Sequence, residues 1–173
     1  MKKYIYLISP KKINRKNFYK ELNDVLKTKK VKYFQLRLKK ISNLNLLKIS
    51  KKIKKITNKN NVKFLINDKP YLAKKVGADG CHIGQNDMSI RKAKKILKKK
   101  IVGVTCHNSI RFVKNAIKNN ADYIALGSFY SSKTKKVKFR ANIDILNSVK
   151  KITALPLVAI GGINSKNYKK LLL

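Results

Sequence analysis

With 173 residues, 43% of them hydrophobic, the chain is long enough for one domain with a packed core, and no apolar run reaches the length of a membrane span. Lysine and arginine number 44 against seven acidic residues, a net charge of +37. Such a charge attracts polyanions without selecting among them, but the lysines run along every expected helix rather than forming one patch, and no nucleic-acid-binding motif is present. A specific nucleic-acid role is therefore the weaker reading. The excess is almost all lysine, in a chain also rich in asparagine and isoleucine, which fits a compositional bias. Cys81 and Cys106 follow no metal spacing and read as reduced, buried thiols of a cytoplasmic protein.

In chain order, Tyr4–Ile8 is an apolar run stopped by Ser9-Pro10, too short for a signal peptide and suited to a first buried strand. A helical spacing follows through Phe18, Leu22, Val25 and Leu26. Tyr33–Leu38 is expected as the second strand, and 44–56 as an amphipathic helix. Val62–Ile66 is a third strand, 71–76 a short helix behind Pro70, and Gly80–Ile83 a fourth strand. Ser89 is placed to cap a helix over 89–97, before a fifth strand at 101–105. A helix over 109–118, a strand at Tyr123–Leu126 and a loop from 127 to 141 come next. Then a helix over 143–152, a strand at 157–160 and the start of a seventh helix over 165–172 complete the pattern.

Seven strand-then-helix units of about 25 residues each imply a parallel sheet. Polar residues collect just past six different strands, which favours a (β/α)8 barrel, with its site at the carboxyl ends of the strands, over an open sheet with one switch point. The expected organisation is one domain over residues 1–173.

Alternation in Gln35-Leu-Arg37-Leu-Lys39 puts three polar side chains on one strand face, where Arg37 and Lys39 can cradle an anion. The alternative is a solvent-facing edge. Asp68 and Asp87 each stand past a short apolar run, and one or two carboxylates shared with substrate phosphates suit Mg2+. Each also has a plainer role open to it: Asp68 as a helix cap before Lys69-Pro70, Asp87 as a turn residue before Met88-Ser89. Gly161-Gly162, after Leu-Val-Ala-Ile, suits phosphate binding by backbone N–H groups, with hydroxyls and charge added by Ser131-Ser132-Lys133-Thr134-Lys135. His82 reads as a core or mouth histidine. His107 either orients a ligand or caps Ser109. No nucleophile–base set of the Ser-His-Asp or Cys-His kind is evident.

At these residues the chain resembles the thiamine-phosphate synthase family, which also contains the TenI thiazole tautomerases. The matching pieces are Gln35 to Lys39, Ile66-Asn67-Asp68, Gly77 to Asp87, Gly103 to His107, Ala121 to Gly127 with Thr134-Lys135, and Pro156 to Ile163. They keep the family's order along nearly the whole chain. The resemblance implies a TIM barrel that joins hydroxymethylpyrimidine diphosphate to a thiazole phosphate in a cytoplasmic, Mg2+-dependent reaction. By that resemblance Gln35, Arg37, Lys39, Asn67, Thr105 and Lys135 meet the pyrimidine diphosphate, Asp68 and Asp87 hold Mg2+, and Ser132, Thr134 and Gly162 meet the thiazole phosphate. Arg37, Lys39, Thr105 and Lys135 are the expected catalytic groups. Thr105 replaces the family's usual serine. The partners implied are phosphorylated small molecules, with no membrane and with homo-oligomerisation left open. The family continues with an eighth strand, so the expectation here is an incomplete barrel of about seven βα units lacking that strand, which holds thiazole phosphate less well than pyrimidine diphosphate. A tautomerase or a degenerate ligand-binding relative is the alternative.

Overall fold

The computed structural model describes residues 3–13, 17–131 and 140–172. Seven strands alternate with helices: β1 (Ile5–Ile8), α1 (Phe18–Lys27), β2 (Val31–Leu36), α2 (Asn43–Lys59), β3 (Lys63–Asn67), α3 (Pro70–Val76) and β4 (Gly80–Ile83). They continue with α4 (Ile90–Leu97), β5 (Ile101–His107), α5 (Ile110–Lys118), β6 (Tyr123–Leu126), α6 (Asp144–Lys150) and β7 (Leu157–Ala159), and end in a 3-10 turn, Tyr168–Leu171. The strand order in the sheet follows the chain from β1 to β7, and the pairings described for it are parallel. An order without reversal excludes a doubly wound sheet and is the order of a (β/α) barrel.

The coordinates fall into two compact units, Met1–His82 with Ala93–Ile101, and Ile83–Lys92 with Val102–Leu173. In the first, β3 is buried on both faces through Phe64, Leu65 and Ile66, as expected of a parallel strand covered by helices. The Phe64 ring stacks on Phe34 of β2 at 6.4 Å, while Leu26 of α1 and Ile53 of α2 are fully buried. Ser42 caps α2 by accepting the Asn45 N–H, Pro70 opens α3, and Gly77 ends it in the left-handed conformation that glycine adopts without strain. In the second unit the core gathers Val104, Val113, Tyr123, Ile124 and Leu126. A Cβ on Gly103 would lie 1.8 Å from the Tyr123 ring, so the missing side chain is what admits that ring.

Two acidic residues act as staples between neighbouring strands. Asp79, just before β4, donates its N–H to the Phe64 carbonyl at 2.9 Å, and its carboxylate accepts the Phe64 N–H at 3.0 Å. Asp122, just before β6, repeats the exchange with Val102 at 2.9 and 2.6 Å. Asp79 also takes the Lys54 ammonium at 2.8 Å and that of Lys63 at 3.6 Å. Burial pushes its carboxyl up, but the Lys54 and Phe64 hydrogen bonds and the two lysine charges outweigh this and hold it below the ordinary value.

Most elements match the sequence reading to within two or three residues at their ends, and two differences carry a physical reason. The second strand is Val31–Leu36, not Tyr33–Leu38, because the Arg37 N–H leaves the ladder for the Ser9 hydroxyl at 2.9 Å. The expected seventh helix is only the 3-10 turn. Just before it, Asn167 Oδ1 accepts the Asn164 N–H and Asn164 Oδ1 accepts the Lys166 N–H, both at 2.9 Å, which ties 164–167 into a turn.

Candidate active site

The first unit carries Gln35, Arg37, Lys39, Asn67 and Asp68 at the carboxyl ends of β2 and β3. Period-two alternation sends Gln35 inward, where it is 2% exposed, while Arg37 is half-buried and Lys39 exposed beyond the end of β2. Gln35 Nε2 donates to Asn67 Oδ1, which joins two of the expected binding residues directly. The Lys39 ammonium lies 3.7 Å from Asp68 Oδ2, with side chains 60% and 22% exposed, so the pair is accessible to an incoming anion. The N-cap position of α3 is Lys69, one residue past Asp68, and the Lys69 side chain makes no cap bond. The Asp68 N–H donates to the His82 carbonyl at 2.8 Å. His82 is 6% exposed, a mouth-side core histidine as expected.

The second unit carries Asp87, Thr105 and Gly162. Asp87 is exposed and its Oδ2 accepts the Gly84 N–H at 2.8 Å, so the carboxylate closes the turn after β4 and leaves Oδ1 for a further partner. Thr105 is half-buried near the end of β5, where the register shifts between Thr105 and His107, and its carbonyl accepts from Gln85 Nε2. Gly161 and Gly162 have φ of +95° and +67°. A Cβ on them would meet Ser128 Oγ at 1.9 Å and the Ser131 carbonyl at 2.4 Å, so both glycines are required for the close approach of the 128–131 segment. Ser132, Thr134 and Lys135 lie outside the described residues.

Backbone strain supplies a signal that no sequence pattern shows. Among the described residues, six other than glycine have positive φ. Lys29, Asn61, Lys98 and Asn120 sit just past the ends of α1, α2, α4 and α5, where chains commonly turn left-handed. The other two, Asp68 and His107, stand at the ends of β3 and β5. Strained backbone of this kind collects at functional sites. The His107 ring stands edge-on to Phe112 at 6.3 Å, and its carbonyl accepts the Gly127 N–H at 3.1 Å. The Ser109 N–H goes to the Cys106 carbonyl, and the Ser109 hydroxyl caps α5 by accepting the Phe112 N–H.

Both cysteines are free and buried, and burial pushes the Cys106 thiol up to about 12. It is a neutral thiol at physiological pH and no nucleophile. Among the described residues no three His, Cys, Asp or Glu side chains gather as a metal site. Asp68 in the first unit and Asp87 in the second are each carboxylates of the hard-oxygen kind that suits Mg2+. No helix among these residues is long and apolar enough to cross a membrane.

Comparison with known proteins places this geometry. The family described as thiamine monophosphate synthase matches residues 5–173. Thiamine-phosphate synthase of Pelagibacter ubique is 65% identical over 172 residues, covering 99% of this chain and 83% of that protein. The enzyme of Clostridium acetobutylicum is 36% identical over 170 residues, covering 97% and 80%. Among solved structures, thiamine phosphate pyrophosphorylase from Pyrococcus furiosus superposes with a TM-score of 0.85 at 26% identity, covering 98% of this chain and 80% of that one. A family match over residues 5–173 and 65% identity to a thiamine-phosphate synthase along 99% of the chain lead to one conclusion: the chain belongs to the thiamine-phosphate synthase family.

Proposed function

We infer that the protein is a transferase that joins hydroxymethylpyrimidine diphosphate to thiazole phosphate, releasing thiamine phosphate and diphosphate in thiamine biosynthesis. The observation that carries this reading is the 65% identity to a thiamine-phosphate synthase over 99% of the chain. The arrangement at β2 and β3 supports it, with amide and cationic groups at neighbouring strand ends. The same single-family match is the reason to treat residues 1–173 as one domain.

The chemistry asks for charge stabilisation and no protein nucleophile, in keeping with two buried cysteines and the raised thiol of Cys106. The bond between the pyrimidine methylene carbon and the diphosphate oxygen breaks, and its electron pair leaves with diphosphate. The thiazole nitrogen lone pair then forms the new carbon–nitrogen bond. Arg37 offers a two-pronged fork to diphosphate oxygens, and Lys39 and Lys135 add point charges. Lys39 can exchange its contact with Asp68 for the substrate, because an exposed ion pair contributes little. Gln35 and Asn67 supply amide hydrogen bonds and Thr105 a hydroxyl. Asp68 and Asp87 would hold Mg2+, which when bound supplies positive charge beside the leaving diphosphate. Ser132, Thr134 and Gly162 serve the thiazole phosphate. The proposed location is the cytoplasm, in keeping with the family's biosynthetic chemistry.

The test is coupling by the purified protein with both substrates and Mg2+. Thiamine phosphate and diphosphate should appear in equal amounts. Isomerisation of a thiazole phosphate without coupling would replace this reading with the tautomerase one.

A further inference from the structure

The first unit holds a polar chain that the expected binding set only partly covers. Parallel pairing sets Tyr6 of β1 beside Tyr33 of β2, and Asn67 of β3 beside His82 of β4. With period two, Tyr6, Tyr33, Gln35, Asn67 and His82 share one sheet face. The Tyr6 ring stacks on Tyr33 at 5.8 Å and stands edge-on to His82 at 6.4 Å. Its hydroxyl donates to Gln35 Oε1 at 3.0 Å, and Gln35 Nε2 donates in turn to Asn67 Oδ1.

The direction of this chain has a chemical consequence. A carboxamide has one acceptor end and one donor end, and the two are opposite. A phenol is a better hydrogen-bond donor than acceptor, so Tyr6 favours the Gln35 oxygen and the Gln35 nitrogen then faces Asn67. Asn67 then spends its own oxygen on Gln35 and turns its NH2 group away from it. Two neutral amides are thereby set in series with their N–H ends leading. Reversal of both amides would present the Asn67 oxygen instead, which repels an anion. Gln35 is 2% exposed, so water cannot readily stand in for the phenol.

We propose that Tyr6 is a positioning residue: its phenolic O–H fixes the orientation of the Gln35 amide and, through it, turns the Asn67 N–H donors toward the diphosphate substrate. The proposal rests on the synthase reading of the same site. Tyr6 acts through Gln35 and need not touch the substrate.

A double-mutant cycle tests it. Tyr6→Phe removes one hydroxyl and keeps the ring that stacks on Tyr33, and it is made both in the natural chain and in a Gln35→Leu background. Calorimetry with hydroxymethylpyrimidine diphosphate and Mg2+ is run beside steady-state coupling and thermal melts. Tyr6→Phe should weaken pyrimidine diphosphate binding and raise its KM on the order of tenfold, the worth of one misdirected hydrogen bond to an anion, with the thiazole phosphate KM unchanged. In the Gln35→Leu background the same change should have no further effect. Unaltered affinity in Tyr6→Phe would overturn the proposal. An equal loss in both backgrounds would do so too, since Tyr6 would then act directly or through the fold. Failure of the synthase reading looks different: the natural chain would make no thiamine phosphate, while the binding cycle still decides the role of Tyr6.

Discussion

Asp87 offers the sharpest separation of a catalytic role from a structural one, because the turn it closes and the metal it would hold use the same carboxylate differently. The turn needs only an acceptor at Oδ2 for the Gly84 N–H, 2.8 Å away. Asparagine can place its amide oxygen there. Asp87→Asn should therefore melt within about 2 °C of the natural chain. Asp87→Ala loses the hydrogen bond, a net of about 1 kcal/mol, which in a domain of this size lowers the melting temperature by roughly 2–4 °C. Metal binding needs the charge. Disturbing groups that merely support a metal's ligands costs about 10–100-fold in affinity, so replacing a ligand carboxylate by an amide should cost at least as much. The half-saturating Mg2+ concentration for coupling should rise at least about tenfold in both variants. The assay is a Mg2+ titration of the coupling rate beside a thermal melt of each protein. Equal Mg2+ dependence of Asp87→Asn and the natural chain would reduce Asp87 to a turn residue. A melt of Asp87→Asn as low as that of Asp87→Ala would refute the acceptor argument.

Other expectations rest on stability and charge. Asp79→Asn keeps an acceptor for Phe64 but strips the partner of Lys54, and should destabilise the fold by about 1–3 kcal/mol in a thermal melt at neutral pH. The Asp79 carboxyl is held below its ordinary value, so its stabilisation is complete above about pH 4 and is lost as the pH falls through the folded value. Asp79→Asn should accordingly flatten the acid limb of a melting-temperature profile, and an unchanged limb would assign that limb to other groups. Gly103→Ala should lower the melting temperature by roughly 2–12 °C, since its methyl would lie within 2.4 Å of three Tyr123 ring and hydroxyl atoms. An unaltered melt would show that the ring can step aside. RNA association driven by the +37 charge should be sequence-blind and collapse with rising salt in filter binding. Sequence-selective binding near physiological salt would reinstate a nucleic-acid role.

The strand ends were legible because the apolar runs stop abruptly there: Gly80–Ile83 and Tyr123–Leu126 were found as expected. The start of β2 was hidden by Lys32. A lysine in a run of this kind argues against a strand, but here its ammonium lies 5.0 Å over the Tyr4 ring and the stem follows the surface. Hydrophobic spacing suggests a seventh helix and says nothing about the turn that Asn164 and Asn167 close. At the site, alternation placed Gln35 correctly inside and overreached for Lys39, which lies beyond the end of the strand. Asp79 and Asp122 stand in the quoted motifs, yet nothing in the sequence showed them as staples, because the bond depends on which backbone N–H starts the neighbouring strand. Tyr6 was read only as part of an apolar strand; its link to Gln35 runs between strands 29 positions apart in the chain.

These placements bear on how so basic a protein can select a substrate. Lysine charge acts in all directions and would concentrate any phosphate near the surface. It cannot tell a pyrimidine diphosphate from a nucleotide. Discrimination must come from groups that point. In the first unit these are the Tyr6–Gln35–Asn67 amide chain and the left-handed backbone that sets Asp68 at the end of β3. The scarcity of acids sharpens the point. Of seven, Asp79 and Asp122 staple strands, Asp24 pairs with Lys27, and Glu21 and Asp144 lie in the first turns of helices. Asp68 and Asp87 alone follow the carboxyl ends of strands. In a chain with 44 cationic groups, carboxylates at those two positions are the ones that the proposed reading assigns to a cation and its diphosphate.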